Sequence, residues 1–326
     1  MFFLGIDIAK ASFDATLLTP GGEQFHRQFA NTPDGFAELA AWLDEFPIDQ
    51  LHVCMEATNV YWEALAAFVH ARGHTVSVVN PSRIKGFALA TMQRNKTDKL
   101  DSSIIAAFCL KHQPSAWEPM SEPQKELRAL MRHREDLLQT KLQQQNRLRD
   151  TTSARVRQSL EQVLKTIAEQ LDELEGQIKQ QVAADATMKA NQALLLTIVG
   201  VGVVVSNSLL AEYGALGEYE SAKAAAADAG LNPARYESGT SVRRRTRLSK
   251  QGKVGVRAVL YLPAMRAMRC CPGFKAFADG LRARGKAPKQ VICAVMRKMV
   301  HVAYGVLKHQ TPYDPLKVCG RLAPLT

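Results

Sequence analysis

An apolar stretch that carries a single carboxylate opens the chain and limits what it can fold into. Residues 2–9 read Phe-Phe-Leu-Gly-Ile-Asp-Ile-Ala, which predicts a short buried β-strand. Gly5 would let another backbone or a ligand approach closely, because glycine has no side chain. Burying Asp7 without compensation is costly. Either Asp7 caps a turn or pairs with Lys10, or further carboxylates join it in holding a divalent cation.

The first part of the chain predicts a mixed α/β sheet. Five segments have the length and apolar character of strands, at residues 2–9, 12–18, 24–30, 51–55 and 75–79. A helix begins at Pro33 after the N-cap Thr32, and helices alternate with the later strands. This order matches a ribonuclease H-like sheet, in which the first and fourth strands are neighbours about 4.8 Å apart. Asp7 and Glu56, at the end of the fourth strand, would then reach one metal ion.

Two more acids stand at the start of a predicted helix. Thr97 is a candidate N-cap, and Asp98 and Asp101 are three residues apart, which places them on one helix face. Acids in a first helical turn also have a plain explanation, since they interact favourably with the helix dipole. Together with Asp7 and Glu56, however, they favour a metal site. Oxygen ligands suit Mg²⁺, with Mn²⁺ as a possible substitute, and phosphodiester chemistry.

The composition points to a polyanionic partner. Among 326 residues there are 42 Lys and Arg against 31 Asp and Glu, a formal charge of +11, and the pI is near 9.4. Nucleic acid is the expected partner. A membrane surface is the alternative, but we see neither a signal peptide nor a long apolar span. The cysteines lack zinc or disulfide spacing and indicate a reduced, cytoplasmic protein; they are Cys54, Cys109, Cys270, Cys271, Cys293 and Cys319.

The middle of the chain predicts a long helical segment. Residues 122–184 contain little Pro or Gly. An a/d stripe of apolar residues typical of a coiled coil runs through Leu160, Leu164, Ile167, Leu171, Leu174 and Ile178. The break at residues 150–153 could be the tip of an antiparallel hairpin. Whether the segment is a spacer or a dimerisation arm stays open.

Two glycines interrupt the next helical pattern. Gly200 and Gly202 flank Val201 in a turn that looks like a helix-hairpin-helix, where backbone N–H groups face a phosphate. The Pro usual before the first glycine is Val199 here, and an ordinary turn between two helices is the alternative.

The last third is strongly basic. Residues 232–309 hold eighteen Lys or Arg but only two acids. A charge run is usually a solvated face, but helices with apolar faces flank this one, so we expect a phosphate-contacting surface. Its densest part comprises Arg243, Arg244, Arg245, Arg247, Lys250, Lys253 and Arg257. Ser238, just before it, is an ordinary turn former or a nucleophile beside cations, and the residues alone favour the former.

Five motifs occur in an order that resembles the IS110 family of insertion-sequence transposases. They are Gly5-Ile6-Asp7-Ile8-Ala9-Lys10, Met55-Glu56-Ala57-Thr58, Asn95-Lys96-Thr97-Asp98-Lys99-Leu100-Asp101, Gly200-Val201-Gly202 and Arg235-Tyr236-Glu237-Ser238-Gly239. The resemblance covers essentially the whole chain. It implies a RuvC-like domain over residues 1–120, a coiled-coil linker or dimerisation arm over 121–185, and a helical C-terminal serine domain over 186–326.

The resemblance also implies roles for single residues. Asp7, Glu56, Asp98 and Asp101 match the family's metal-binding tetrad, and Ser238 matches the serine that attacks DNA and holds it in a phosphoserine bond. A structured bridge RNA would pair with donor and target DNA. The protein would be a homo-oligomer, a dimer or tetramer, in the bacterial cytoplasm at the nucleoid.

These observations and the resemblance lead to three alternative functions. The first is a Mg²⁺-dependent, RNA-guided DNA recombinase with Ser238 as nucleophile. The second is a RuvC-like nuclease that uses water, with Ser238 structural. The third is a non-catalytic nucleic-acid-binding protein on a degenerate ribonuclease H-like core.

Overall fold

The computed structural model describes residues 1–315 apart from 58, 92–97, 239–241 and 250. Within three elements it describes the backbone alone, at residues 98–99 and in the stretches 235–238 and 242–246. The chain forms two compact units, Met1–Pro119 and Met120–Thr326.

A five-stranded mixed sheet forms the centre of the first unit. Its strands are β1 (Phe2–Ile8), β2 (Ser12–Leu18), β3 (Gln24–Ala30), β4 (Leu51–Glu56) and β5 (Thr75–Val79). They lie in the order β3-β2-β1-β4-β5; the first three are antiparallel, and β4 is parallel to both β1 and β5. This arrangement confirms the predicted ribonuclease H-like sheet and the pairing of its first and fourth strands.

Helices cover both faces of this sheet. They are α1 (Pro33–Leu43), α2 (Glu63–Ala71), α3 (Pro81–Ala90) and α4 (Asp98–His112). Thr32 caps α1 as predicted, because its hydroxyl accepts from the Gly35 N–H at 3.3 Å. One apolar cluster joins β1, β2 and β4 to α1 and α2, while another joins the opposite face to α3 and α4. Strands β1, β2 and β4 therefore divide their side chains between two cores.

A long helical hairpin begins the second unit. It consists of α5 (Glu122–Asp150) and α6 (Ala154–Ala184), so the turn falls where the sequence predicted a tip. The two helices are antiparallel, with Gln181 donating to the Pro123 carbonyl at 3.0 Å and Arg134 contacting Glu175 at 2.9 Å. Toward the body of the unit, Leu174 and Ile178 of the predicted apolar stripe are buried.

The rest of the second unit is a helical core with one β-hairpin. Its elements are α7 (Ala186–Leu196), α8 (Val203–Tyr213), a 3₁₀ turn (Leu216–Glu218), α9 (Ala222–Asp228), β6 (Pro233–Ser238), β7 (Val242–Leu248), α10 (Val254–Cys270), α11 (Pro272–Ala283) and α12 (Pro288–His309). The helices confirm the expected helical C-terminal part. The antiparallel β6–β7 pair was not predicted, because consecutive arginines hide the alternation that marks a strand.

The last helix, α12, is long and apolar enough to cross a membrane by length and composition. We did not predict this span from the sequence. Half of its apolar window is buried, and Val295, Met299 and Ala303 belong to the core of the second unit. This packing is that of a core helix.

Candidate active site

The sheet brings two of the predicted metal ligands to one place. Ile6 of β1 pairs with Met55 of β4 in parallel register, so Asp7 and Glu56 are the next residues on neighbouring strands. Phe3 and Cys54 pack in the same core as α4. Side chains alternate along a strand, so Asp7 shares the face of Phe3, and Glu56 shares the face of Cys54. Both acids are partly buried on the face that α4 covers.

Gly5 explains how α4 comes so close to this face. A Cβ at Gly5 would collide with the backbone of Ser102 and Ala106 in α4. The predicted close approach at Gly5 is therefore confirmed, and the partner is a helix backbone. Beside it, the buried hydroxyls of Thr16 and Ser102 lie 2.7 Å apart. This hydrogen bond sets the position of α4 along the sheet, since either hydroxyl without a partner would be costly to bury.

The first turn of α4 carries the other two predicted ligands. Asp101 precedes the docked Ser102 and is partly buried. Asp98 is the first residue of α4, and its side chain lies outside the described part of the chain. The same helix start that Gly5 and Thr16 hold to the sheet therefore supplies this pair of acids.

A fifth acid on this face was not predicted from the sequence. Asp14 of β2 lies opposite Asp7 in the antiparallel register and is 7 % exposed. Its carboxylate oxygens lie 2.8 Å from His26 Nε2 and 3.0 Å from the donating Gln28 Nε2. Asp14 thus has its own partners on β3. An acid between Phe13 and Ala15 in an apolar strand is the same signal that drew attention to Asp7.

The donor set suits a hard divalent cation. Two carboxylates stand at the ends of neighbouring strands, and a third stands at the start of a helix packed on the same face; oxygen ligands of this kind are those that such ions prefer. In the part of the chain that the structure describes, no three His, Cys, Asp or Glu side chains are already gathered to hold a metal. The Asp98 side chain lies outside that part.

Ser238 stands at the end of β6, in the second unit. Its backbone pairs with Val242, while Glu237 pairs with Arg243 and Tyr236 with Arg244. The side chains of Ser238, Arg243, Arg244 and Arg245 lie outside the described part of the chain, as does all of Lys250. The backbone shows that the serine and the arginine run belong to one β-hairpin.

Three other predicted phosphate contacts differ in their surroundings. Arg247 is exposed on β7. The Lys253 ammonium instead contacts Asp228 at 3.1 Å, and Arg257 donates to the carbonyl of Ala229 at 2.8 Å. Lys253 and Arg257 are therefore engaged within the protein, while Arg247 faces solvent.

The two glycines of the predicted helix-hairpin-helix also differ. Gly200 has a φ of 93°, and a Cβ there would lie 2.7 Å from the carbonyl oxygen of Pro263 in α10. Gly202 is the exposed N-cap of α8; among the described residues nothing lies within 4 Å of a Cβ placed there, and Val203 beside it is exposed. Gly200 thus serves packing, whereas Gly202 and Val203 are exposed at the start of α8.

Comparison with known proteins agrees with this arrangement. Residues 4–154 match the profile of the DEDD transposase domain of the IS110 type, and residues 192–279 match that of the transposase IS116/IS110/IS902 family. The DEDD type of domain indicates use of a divalent metal.

Whole-length relatives point the same way. The chain is 32 % identical over 315 residues to a pilin gene-inverting protein of Moraxella lacunata, covering 96 % of this chain and 97 % of the relative. The Moraxella bovis pilin gene-inverting protein matches to the same extent. The transposase for insertion sequence element IS1328 of Yersinia enterocolitica is 23 % identical, over 95 % of this chain and 98 % of its own. The chain belongs to the IS110 family of transposases, enzymes that cleave and recombine DNA.

Proposed function

We propose that this chain is a divalent-metal-dependent, RNA-guided DNA recombinase in which Ser238 attacks the DNA backbone. The observation that carries the proposal is the acidic face of the sheet. Asp7 and Glu56 follow a paired position on adjacent parallel strands, and Gly5 lets the helix bearing Asp98 and Asp101 lie directly on that face. A structural protein would not need this group of acids beside a core.

The serine step is a transesterification. The Ser238 hydroxyl loses its proton, its oxygen bonds to phosphorus, and the phosphorus–oxygen bond to one sugar breaks. That sugar leaves as a hydroxyl after taking up a proton, so the reaction needs no water and no external energy source. The phosphoserine bond keeps the DNA end until a second sugar hydroxyl displaces the serine.

Asp7, Glu56, Asp98 and Asp101 would hold the metal, which we assign as Mg²⁺ with Mn²⁺ able to replace it. When bound, such an ion polarises the scissile phosphate and stabilises the leaving oxygen. The chain's own contribution is to fix the acids, through the sheet register and through the Thr16–Ser102 contact.

The partners we propose are donor DNA, target DNA and a structured bridge RNA that pairs with both. A net charge of +11 supports binding of polyanions, and the names of the Moraxella relatives refer to inversion of a DNA segment. The protein would act in the bacterial cytoplasm as a dimer or tetramer, with the α5–α6 hairpin as a coiled-coil dimerisation arm.

The nucleophile is tested by Ser238→Ala, with Ser208→Ala on the solvent side of α8 as the matched control. Protein is incubated with its co-purifying RNA and a plasmid that carries the DNA flanking its gene, then run on a denaturing gel. Wild type and the control should leave protein on DNA, whereas Ser238→Ala should leave none. Free DNA ends without attached protein would instead identify a nuclease that uses water.

The metal ligands are tested by Asp7→Asn, with Asp44→Asn as the control. Asp44 is a surface acid of the same unit that pairs with Arg72 at 3.1 Å. We expect Asp7→Asn to abolish strand cleavage and to weaken Mn²⁺ binding in a calorimetric titration. Full cleavage by Asp7→Asn would refute the metal role.

A further inference from the structure

The base of the β6–β7 hairpin is held by several polar contacts. The chain enters the hairpin through Asn232 and leaves it at Ser249, whose N–H donates to the Asn232 carbonyl at 2.9 Å. From α12, the Arg297 guanidinium donates to the Leu231 carbonyl at 3.5 Å and contacts the side-chain oxygen of Asn232. Both strands are therefore tied to each other and to a core helix at this end.

Lys253, four residues after Ser249, is the centre of a second group of contacts. Its ammonium donates to the Glu212 carbonyl at 2.6 Å and to the Tyr219 hydroxyl at 3.3 Å, and it lies 3.1 Å from the Asp228 carboxylate. These contacts account for all three ammonium protons. The Lys253 ammonium nitrogen also lies over the ring of Tyr213, 4.8 Å from the ring centroid. A lysine engaged in this way has no proton left for a phosphate.

The neighbours of Lys253 strengthen the same junction. The Tyr219 hydroxyl donates to Asp228 at 2.6 Å, and burial together with the nearby Asp228 charge raises the pKa of Tyr219, so it stays a donor. Arg257 donates to the carbonyls of Ala229 and Gly252 at 2.8 and 3.2 Å. Gly252 has a φ of 131° and lies against the Asp228 carbonyl, where a Cβ would collide.

The hairpin acts as a lever on this junction. Five residue steps separate Pro233 from Ser238, which is about 17 Å of extended chain. A rotation of about 10° at the base would move the far end by about 3 Å. A misplacement of about 1 Å in an active site can lower a rate about 100-fold. The stiffness of the base therefore decides where Ser238 is held.

We infer that Lys253, Asp228, Tyr219 and Arg257 form a hairpin anchor that positions Ser238 for attack. The inference rests on the proposed role of Ser238. It gives Lys253 and Arg257 a positioning role in place of the phosphate contacts that their sequence context predicted. The hairpin anchor does not touch the reacting atoms.

Lys253→Met in the full-length protein tests the anchor, with Lys125→Met as the matched control. Lys125 pairs with Glu122 within one helix turn, at 2.6 Å. Hydrogen–deuterium exchange should speed up at the β6–β7 amides in Lys253→Met, while α12 stays protected as in the control. This measurement does not depend on the chemistry of Ser238. Unchanged exchange in the hairpin would overturn the anchor.

Two functional readouts follow on the same variants. With the co-purifying RNA and the plasmid described above, Lys253→Met should form the protein–DNA adduct at least 10-fold more slowly. The slope of log affinity against log salt for a DNA duplex should not change, since a lost phosphate contact would reduce it by about one. A reduced slope, or an adduct rate within twofold of wild type, would contradict the positioning role.

A milder variant and a double variant guard against simple unfolding. Tyr219→Phe keeps the ring that packs against Tyr213 and removes only the hydroxyl, so it should show a smaller effect in the same direction. Asp228→Asn combined with Lys253→Met should be no slower than the worse single variant, because the two act as one unit. Additive losses would argue against a shared anchor. If the wild type forms no protein–DNA adduct but hydrogen exchange in the hairpin still speeds up in Lys253→Met, the proposed role of Ser238 is wrong while the anchor itself stands.

Discussion

The acidic face of the sheet and the hairpin that carries Ser238 are held in position by different kinds of interaction. Asp7 and Glu56 stand on strands whose apolar side chains fill cores on both faces of a five-stranded sheet. Ser238 stands on a two-stranded hairpin whose base is tied to the helical core by ion pairs and hydrogen bonds. Asp7 and Glu56 are thus positioned mainly by hydrophobic packing, and Ser238 mainly by polar contacts.

This difference bears on how each region responds to change. Packed cores resist small displacements, because interiors are close to crystal density and any shift loses many contacts at once. A two-stranded hairpin is marginal by itself, and polar contacts near the surface stabilise it only modestly. We expect a rigid acidic site and a hairpin whose position can be altered by single polar substitutions.

The largest expected effect is that of Gly5→Ala. The added Cβ would collide with the backbone of Ser102 and Ala106, which cannot move aside without lifting α4 from the sheet. Overpacking of this kind costs up to about 3 kcal/mol, and the shift of α4 should also abolish DNA cleavage. All three tryptophans (Trp42, Trp62 and Trp117) belong to the first unit, so their fluorescence in urea reports its unfolding.

Gly86→Ala is the matched control for this prediction. Gly86 lies within α3 in the same unit, and no atom of the described residues lies within 4 Å of a Cβ placed there. Alanine favours a helix over glycine by about 1 kcal/mol, so the fluorescence transition should move to higher urea. If Gly5→Ala and Gly86→Ala behaved alike, α4 would not be held by the close approach at Gly5.

A smaller effect is expected for Gly200→Ala in the second unit. Alanine there would combine a positive φ with a Cβ pressed against the Pro263 carbonyl, at about 2 kcal/mol in total. Gly202 has an extended backbone, and no described residue lies within 4 Å of a Cβ placed there, so Gly202→Ala should cost less, about 1 kcal/mol. Unfolding followed by circular dichroism should show the loss of stability in Gly200→Ala, whereas the tryptophan fluorescence of the first unit should not change. Equal losses at both glycines would refute the packing role of Gly200.

The sequence predicted the first unit well because its signals are local. Five apolar runs of strand length and the N-cap at Thr32 led to the sheet, and the order of elements led to the pairing of β1 with β4. The close approach at Gly5 followed from a glycine inside an apolar strand. Asp14 was missed although it gives the same signal as Asp7, because its partners His26 and Gln28 lie on another strand.

The second unit was harder to predict because its organisation depends on distant contacts. The run Arg243-Arg244-Arg245 shows no apolar alternation, so β7 could not be recognised. Lys253 and Arg257 were grouped with the solvent-facing cations by their position in a basic run. Only the fold shows that Asp228 and the Ala229 carbonyl lie beside them. The charge of a sequence predicts the class of partner, but it does not predict which Lys or Arg side chains contact that partner.

The smallest expected effect is a pH dependence confined to the second unit. Burial, with Arg297, Lys298 and Lys223 nearby, lowers the pKa of His301 in α12 to about 4. Its Nε2 is buried without a hydrogen-bond partner within the described residues. Below pH about 6.5, His301 binds a proton in the unfolded chain but stays neutral in the folded chain. The free energy of unfolding therefore falls as the pH drops towards 4. Above pH 7 this group has no effect.

His301→Gln should flatten that dependence. Because acids and other histidines titrate alike in both proteins, the difference between wild type and variant isolates this ring. We expect wild type to lose about 1 kcal/mol more than the variant between pH 6.5 and 4.5, measured by circular dichroism in urea. The tryptophan transition of the first unit should show no such difference. A parallel loss in the variant would mean that His301 takes up its proton as easily in the folded chain as in the unfolded one.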